Sequence, residues 1–255
     1  MPGPHEQRPT HRFSSRVSDY VRYRPHYPRE LIAWLRDTVG FAPAWRVADV
    51  GSGTGIFSKL LLENGNVVIA VEPNDAMRVE AESALSSFPN FESVRGTAEA
   101  TTLAEHRVDL VTAAQAFHWF DPVATRREFA RILKPGGWTL VVFNTRRSAS
   151  PFMRAYDEFL HTRAVDYGFV DHRLVDSGRL RNFLGDYREW RFNFSIDHDL
   201  EGVFGLSKSS SYTPAPDHPQ HESFYAALHA LFEAHERNGH VDFLYETEAY
   251  LGRVS

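Results

Sequence analysis

The sequence predicts an α/β protein built on a doubly wound sheet, and three observations carry that prediction. Between residues 29 and 143, apolar runs of strand length alternate with segments of helical period. The first such strand enters a turn with glycine at 51, 53 and 55, and a helical pattern follows at once. Two later stretches, 188–196 and 241–251, alternate apolar and polar residues with period two, as half-buried strands do.

Composition bounds the answer. With 255 residues, 42% of them hydrophobic, the chain can bury a substantial core in one domain. Residues 13–255 are expected to form that domain, and the polar, proline-bearing residues 1–12 a disordered tail. The lack of cysteine excludes disulfides, thiolate nucleophiles and Cys-ligated zinc. A formal net charge of -5 argues against general nucleic-acid binding. No apolar run approaches the ~18 residues needed to span a bilayer, and no apolar leader opens the chain. The expectation is a cytoplasmic monomer or homodimer whose partner is a small molecule, not nucleic acid or membrane.

Residues 13–28 set Tyr20, Tyr23 and Tyr27 among Arg22, Arg24 and two prolines. Such an aromatic arm either packs for stability or covers a ligand pocket. Residues 29–39 read as a helix with Leu31, Ile32, Trp34, Leu35 and Val39 inward, and Gly40 stops it. A buried strand over 45–50 then enters the glycine turn, and 56–62 has helical period. A strand, a glycine turn and a helix N-terminus make a site for a nucleotide-like ligand. Spacing narrows that ligand. A dinucleotide fingerprint needs glycine or alanine at position 56, where this chain has Ile56. A phosphate-binding loop needs a Gly-Lys-Ser/Thr ending, which is missing. What stands here is Asp49-x-Gly51-x-Gly53-x-Gly55.

That run resembles the first motif of the class I S-adenosylmethionine-dependent methyltransferases. The resemblance implies a Rossmann-like methyltransferase fold, a mixed seven-stranded sheet with its last strand antiparallel. It also implies S-adenosyl-L-methionine as cofactor, with Asp49, Gly51, Ser52, Gly53, Thr54 and Gly55 around its methionine part. Residues 66–72 are an apolar strand buried on both faces and ending in Glu72. A carboxylate there can accept both hydroxyls of a ribose. Pro73 and Asn74 cap the next helix, and Met77 is placed to cover an adenine face. Strand 91–95 leads into 96–99, where the family sets an acid on the adenine amino group. That position is Glu99, with Ala98 beside it. Strand 108–114 runs into Gln115-Ala-Phe-His-Trp-Phe-Asp121. This stretch is similar to that of a subgroup that includes the trans-aconitate methyltransferase-like enzymes. By that likeness Gln115 and Ala116 line the cofactor, and His118 and Trp119 lie near the transferred methyl group. The arm fits a Tyr-x-x-x-Arg-Pro-x-Tyr-Pro pattern that closes over the cofactor in related small-molecule methyltransferases. It adds Tyr20 and Arg24 as cofactor contacts.

A helix over 123–133 precedes Leu-Lys-Pro-Gly-Gly137, a turn widespread in class I methyltransferases, and then the fifth strand, 138–143. Beyond residue 144 the resemblance thins. Segments 150–184 and 199–238 read as helical insertions, which generally form the substrate cap in this family. His218, His221, His229 and His235 lack the spacing and acidic partners of a metal site, and no metal is expected.

Methyl transfer from a sulfonium is an in-line displacement, so the protein must align a nucleophile and exclude water. An acceptor carboxylate would need only a cation, for which Arg24, Arg146 and Arg147 are candidates. A hydroxyl or amine would want His118 or Tyr20 as base. The sequence therefore points to methylation of an oxygen or nitrogen of a small molecule. One alternative is a cofactor-binding module without turnover; His118, Trp119 and the aromatic arm speak against an empty substrate pocket. Another is a nicotinamide-dependent oxidoreductase, opposed by Ile56 and by the lack of a Tyr-x-x-x-Lys pair after the fourth strand. The Asn/Asp-Pro-Pro-Tyr motif of nucleic-acid amino methylases is also missing.

Overall fold

The fold comes from a computed structural model that describes residues 22–165, 167 and 177–254. The tail over 1–12, the first part of the arm and Tyr20 lie outside the described residues. The chain runs α1 (Glu30–Val39), β1 (Arg46–Val50), α2 (Ile56–Glu63), β2 (Val67–Val71), α3 (Asp75–Ala84), β3 (Phe91–Val94) and β4 (Val108–Ala114). Then come α4 (Pro122–Ile132), β5 (Leu133–Arg146), α5 (Pro151–Arg163), α6 (Ser177–Leu184), β6 (Arg188–His198), α7 (Leu200–Lys208), α8 (His221–Glu233) and β7 (Val241–Gly252).

The strands form one seven-stranded sheet in the order β3-β2-β1-β4-β5-β7-β6. β1 to β5 pair in parallel, and β7 is antiparallel to both of its neighbours. This is the mixed, Rossmann-like methyltransferase architecture that the sequence predicts. Its centre is apolar because helices cover both faces. Val47 and Val68 join Leu31, Leu35, Phe41, Phe57 and Leu61 on one side. Ala48, Val50, Ile69 and Val71 join Val111, Phe117, Phe129 and Val141 on the other.

Local chemistry sets the element ends. Gly40 takes a left-handed φ of 73° and returns its N–H to the carbonyl of Arg36, closing α1. The side chains of Asn74, Asp121, Ser150 and Asp199 cap α3, α4, α5 and α7 by accepting from N–H groups of the first turn.

One expected turn is reshaped. Residues 134–137 do not separate α4 from the fifth strand; β5 begins at Leu133, and these residues bulge out of it. Val108 pairs with Leu133 and Leu110 already pairs with Trp138. Glycine makes the bulge possible. Gly136 has φ +80°, and a Cβ on Gly137 would lie 3.1 Å from the carbonyl oxygen of Asp109.

β5, β6 and β7 outrun the central strands. The overhang carries a third cluster: Tyr156 and Phe159 of α5, Leu206 of α7, Phe224 and Leu228 of α8, and Phe243 and Tyr245 of β7. Among the described residues, no helix is long and apolar enough to cross a membrane.

Candidate active site

Asp49 is fully buried at the end of β1. Ser58 Oγ donates to one carboxylate oxygen at 2.6 Å and Thr112 Oγ1 to the other at 2.8 Å. Burial pushes the Asp49 carboxyl up to about 6, against the pull of those two hydrogen bonds. These two bonds tie the end of β1 to α2 and β4, and Asp49 also lines the cavity.

In that turn two glycines have different duties. At Gly51, φ is +70° and a Cβ would sit 2.6 Å from the Cβ of Ala116, so the β1 and β4 loops touch only because there is no side chain. At Gly53, φ is +57° and a Cβ would meet only Met77 Sδ, at 3.9 Å. That face is open to the cavity. Gly55 is not on the cavity wall; it packs its backbone against Leu85.

Glu72, 6% exposed, stands at the tip of β2. The N–H of Gly53 donates to Oε2 at 2.9 Å and the N–H of Asn74 to Oε1 at 2.8 Å. Burial raises its carboxyl above the ordinary range, opposed by these two bonds. Each carboxylate oxygen has two acceptor positions, so the pair of backbone bonds leaves one on each oxygen.

Pro73, Met77, Ala98 and Glu99 line the same cavity, as do Ser52 and Thr54 of the turn. Glu99 Oε1 accepts from the N–H of Asp121 at 3.0 Å, which joins the β3 and β4 loops. Gln115 is held in a left-handed conformation, φ +53°, uncommon for a side chain of its size. Its N–H donates to Val142 and its Nε2 to the carbonyl of Asn144. Gln115, Ala116, His118 and Trp119 follow on the wall, with the His118 ring centroid 4.8 Å from that of Trp119.

The visible part of the arm lies against this wall. Arg24, Pro25 and Tyr27 line the cavity. Tyr27 meets Phe57 edge-on at 4.8 Å, and Asn144 Nδ2 donates to the carbonyl of His26 at 3.2 Å. Tyr23 OH donates to Glu201 at 2.9 Å, and Arg24 Nη2 donates to the carbonyl of Ser209 at 3.1 Å. The arm thus bridges the sheet and the helical cap.

The cavity measures about 600 Å³, within the ~300–1,000 Å³ usual for ligand sites. Its other end was less visible in the sequence. Arg146 is there, as are Asp157, Tyr167, Leu206, Tyr212 and Tyr245; Arg147 is exposed and off the wall. Arg146 donates from Nη1 to Tyr212 OH and from Nη2 to Tyr167 OH, both at 2.8 Å. Its guanidinium lies 5.6 to 5.9 Å from the ring centroids of Tyr156, Tyr167 and Tyr212. These tyrosines come from separate segments, so only their apolar faces left a trace in the pattern.

The family described as a methyltransferase domain matches residues 48–141, the span holding the glycine turn, Glu72 and the β4 loop. That match covers the central part of the sheet, from β1 into β5. An uncharacterized methyltransferase of Mycobacterium tuberculosis is 41% identical over 148 residues, 58% of each chain. The likeness therefore spans less than two thirds of that relative's length. An uncharacterized methyltransferase-like protein of Schizosaccharomyces pombe is 28% identical over 243 residues, 93% of each chain. Among solved structures, one assigned as a type II methyltransferase from Anaeromyxobacter dehalogenans superposes with a TM-score of 0.61 at 25% identity. That superposition covers 91% of this chain and 98% of the other. The likeness to that structure thus runs through nearly the whole of both chains.

Proposed function

We propose that the chain is an S-adenosylmethionine-dependent methyltransferase acting on an oxygen or nitrogen of a small molecule. A carboxylate oxygen is the acceptor that asks least of the protein. The observation that carries this reading is a single cavity whose wall includes Gly53 and Glu72 at one end and Arg146 and Tyr212 at the other. The first end fits an adenosyl amino acid, because Gly53 leaves open the space a Cβ would fill and Glu72 keeps two acceptor positions.

When bound, S-adenosylmethionine supplies a methyl group already activated on a sulfonium. The chain's own part is to bind, orient and keep dry. Glu72 accepts the ribose hydroxyls, and Met77, Ala98 and Glu99 enclose the base. The glycine turn with Gln115 and Ala116 holds the amino-acid portion, and Arg24 answers its carboxylate. Trp119 offers a ring face tolerant of a cation. Pro25 and Tyr27 of the arm, with Tyr20 by the sequence pattern, keep water out. For a hydroxyl or amine acceptor His118 or Tyr20 takes the proton; a carboxylate needs neither. The likeness to trans-aconitate methyltransferase-like enzymes in 115–121 favours that simpler case.

Thermal melting with S-adenosylmethionine, S-adenosylhomocysteine and NAD tests the reading. A ligand at 100 times its Kd stabilises by about 2.7 kcal/mol, enough to move the melting point by several degrees. A shift with the first two compounds alone is expected, and a shift with NAD alone overturns the assignment.

A further inference from the structure

We propose that Arg146 is the anchor for the methyl acceptor, and that the acceptor is an organic acid whose carboxylate binds this guanidinium. The inference rests on the methyltransferase reading and names the substrate class of the same cavity.

Arg146 is a permanent cation at the C-terminal end of β5, walled by Tyr156, Tyr167, Tyr212 and Tyr245. Among the described residues no carboxylate forms an ion pair with it; its partners are two neutral hydroxyls and three ring faces. Arg146 is half-buried, and neutral partners offset only part of the desolvation of its guanidinium. Proteins rarely leave a cation in that condition unless something else completes it. Nη1 and Nη2 each use one N–H on a phenol oxygen, so three of the five guanidinium donors remain. A planar fork with spare donors matches a carboxylate.

Tyr212 acts as an internal probe of the field at this spot. Burial works against its phenolate. The charges of Arg146 and Arg24 and a hydrogen bond from Ser210 outweigh that burial and hold its hydroxyl below the usual tyrosine range. A ligand anion placed beside Tyr212 meets the same positive potential.

A second cation reaches this region from a different element. Arg24 is tied to the carbonyl of Ser209 and reaches the cavity from the arm. Arg146 is bracketed by Tyr167 and Tyr212, and Tyr167 OH donates a hydrogen bond to Asp157 Oδ1 at 3.3 Å. Two cations on different elements fit two carboxylates, one on the cofactor and one on the acceptor.

The test titrates the protein, with and without S-adenosylhomocysteine, with succinate, hexanoate and benzoate and with the neutral amide of each. At least one acid is expected to bind tenfold or more tighter than its amide. Arg146→Met is expected to erase that preference, with an acid affinity lower by about 10- to 100-fold. Arg146→Lys keeps the charge without the fork and falls between; it serves if Arg146→Met does not fold. Tyr212→Phe is expected to weaken the acid about threefold to tenfold. S-adenosylhomocysteine affinity stays within twofold in every variant. The proposal is overturned if no acid is preferred over its amide, or if the preference survives Arg146→Met. A wild-type chain that takes an acid but no S-adenosylhomocysteine refutes the cofactor reading and leaves the anchor standing.

Discussion

Glu72→Gln separates binding from folding. The carboxylate accepts one backbone N–H on each oxygen, at 2.9 Å from Gly53 and 2.8 Å from Asn74. A glutamine keeps one acceptor oxygen and turns an NH₂ group toward the other N–H. Folding therefore loses one charge-assisted hydrogen bond, about 1.5–3 kcal/mol. Relief of the burial that raises the Glu72 carboxyl opposes that loss. Unfolding by urea should therefore shift by less than the bond alone, under about 3 kcal/mol. Cofactor binding has no such compensation. At least one ribose hydroxyl loses its acceptor and the other loses the charge, together about 2–4 kcal/mol, or roughly 30- to 1,000-fold in affinity. Calorimetry with S-adenosylhomocysteine reads the effect directly. An affinity within threefold of wild type, with folding unchanged, would refute the assignment of Glu72 to the ribose.

Further predictions follow from the same geometry. The raised Asp49 carboxyl favours the protonated folded state, so its contribution to stability is full below pH 3.8 and is lost as pH rises through about 6. The difference amounts to about 3 kcal/mol, and Asp49→Asn should flatten that fall in urea unfolding measured from pH 4 to 7. Gly51→Ala drives a Cβ to 2.6 Å from Ala116 at φ +70° and should cost about 2–4 kcal/mol of stability. Gly53→Ala, with open space beyond it, should cost only about 1 kcal/mol by chemical unfolding yet weaken S-adenosylhomocysteine at least tenfold. Gly205→Ala puts a Cβ 2.1 Å from the Tyr23 ring and should push the arm off α7. Faster proteolysis between residues 22 and 28, with weaker cofactor binding, is the expected signature.

The strands of the sheet centre were legible because burial on both faces writes an unbroken apolar run, as in 67–71. The placement of β7 between β5 and β6 left no mark in residue order; resemblance alone suggested the antiparallel strand. Residues 134–137 were misjudged because the same residues, Pro and Gly, build a turn or a bulge. The end of the cavity walled by Gly53 and Glu72 was legible because the glycine turn and the acid at the next strand tip stand close together in residue order. The Arg146 end was not. Tyr212 sits in a run of polar residues that reads as a loop, and Tyr245 reads as one inward residue of an alternating strand. Arg146 and Tyr245 are brought together across β5 and β7, a pairing that no local spacing encodes.

β7 belongs to two structures at once. Its later residues, Ala249 and Leu251, fill the core beneath the sheet, while Phe243 and Tyr245 fill the third cluster, where Tyr245 also lines the cavity near Arg146. Cap and sheet therefore cannot melt apart, and neither can be grafted onto another protein without taking the strand along. During synthesis, β5 keeps an unpaired edge and Arg146 lacks part of its wall until residue 252 has been made. A chain stopped short of β7 would present an adhesive edge, not a smaller stable fold.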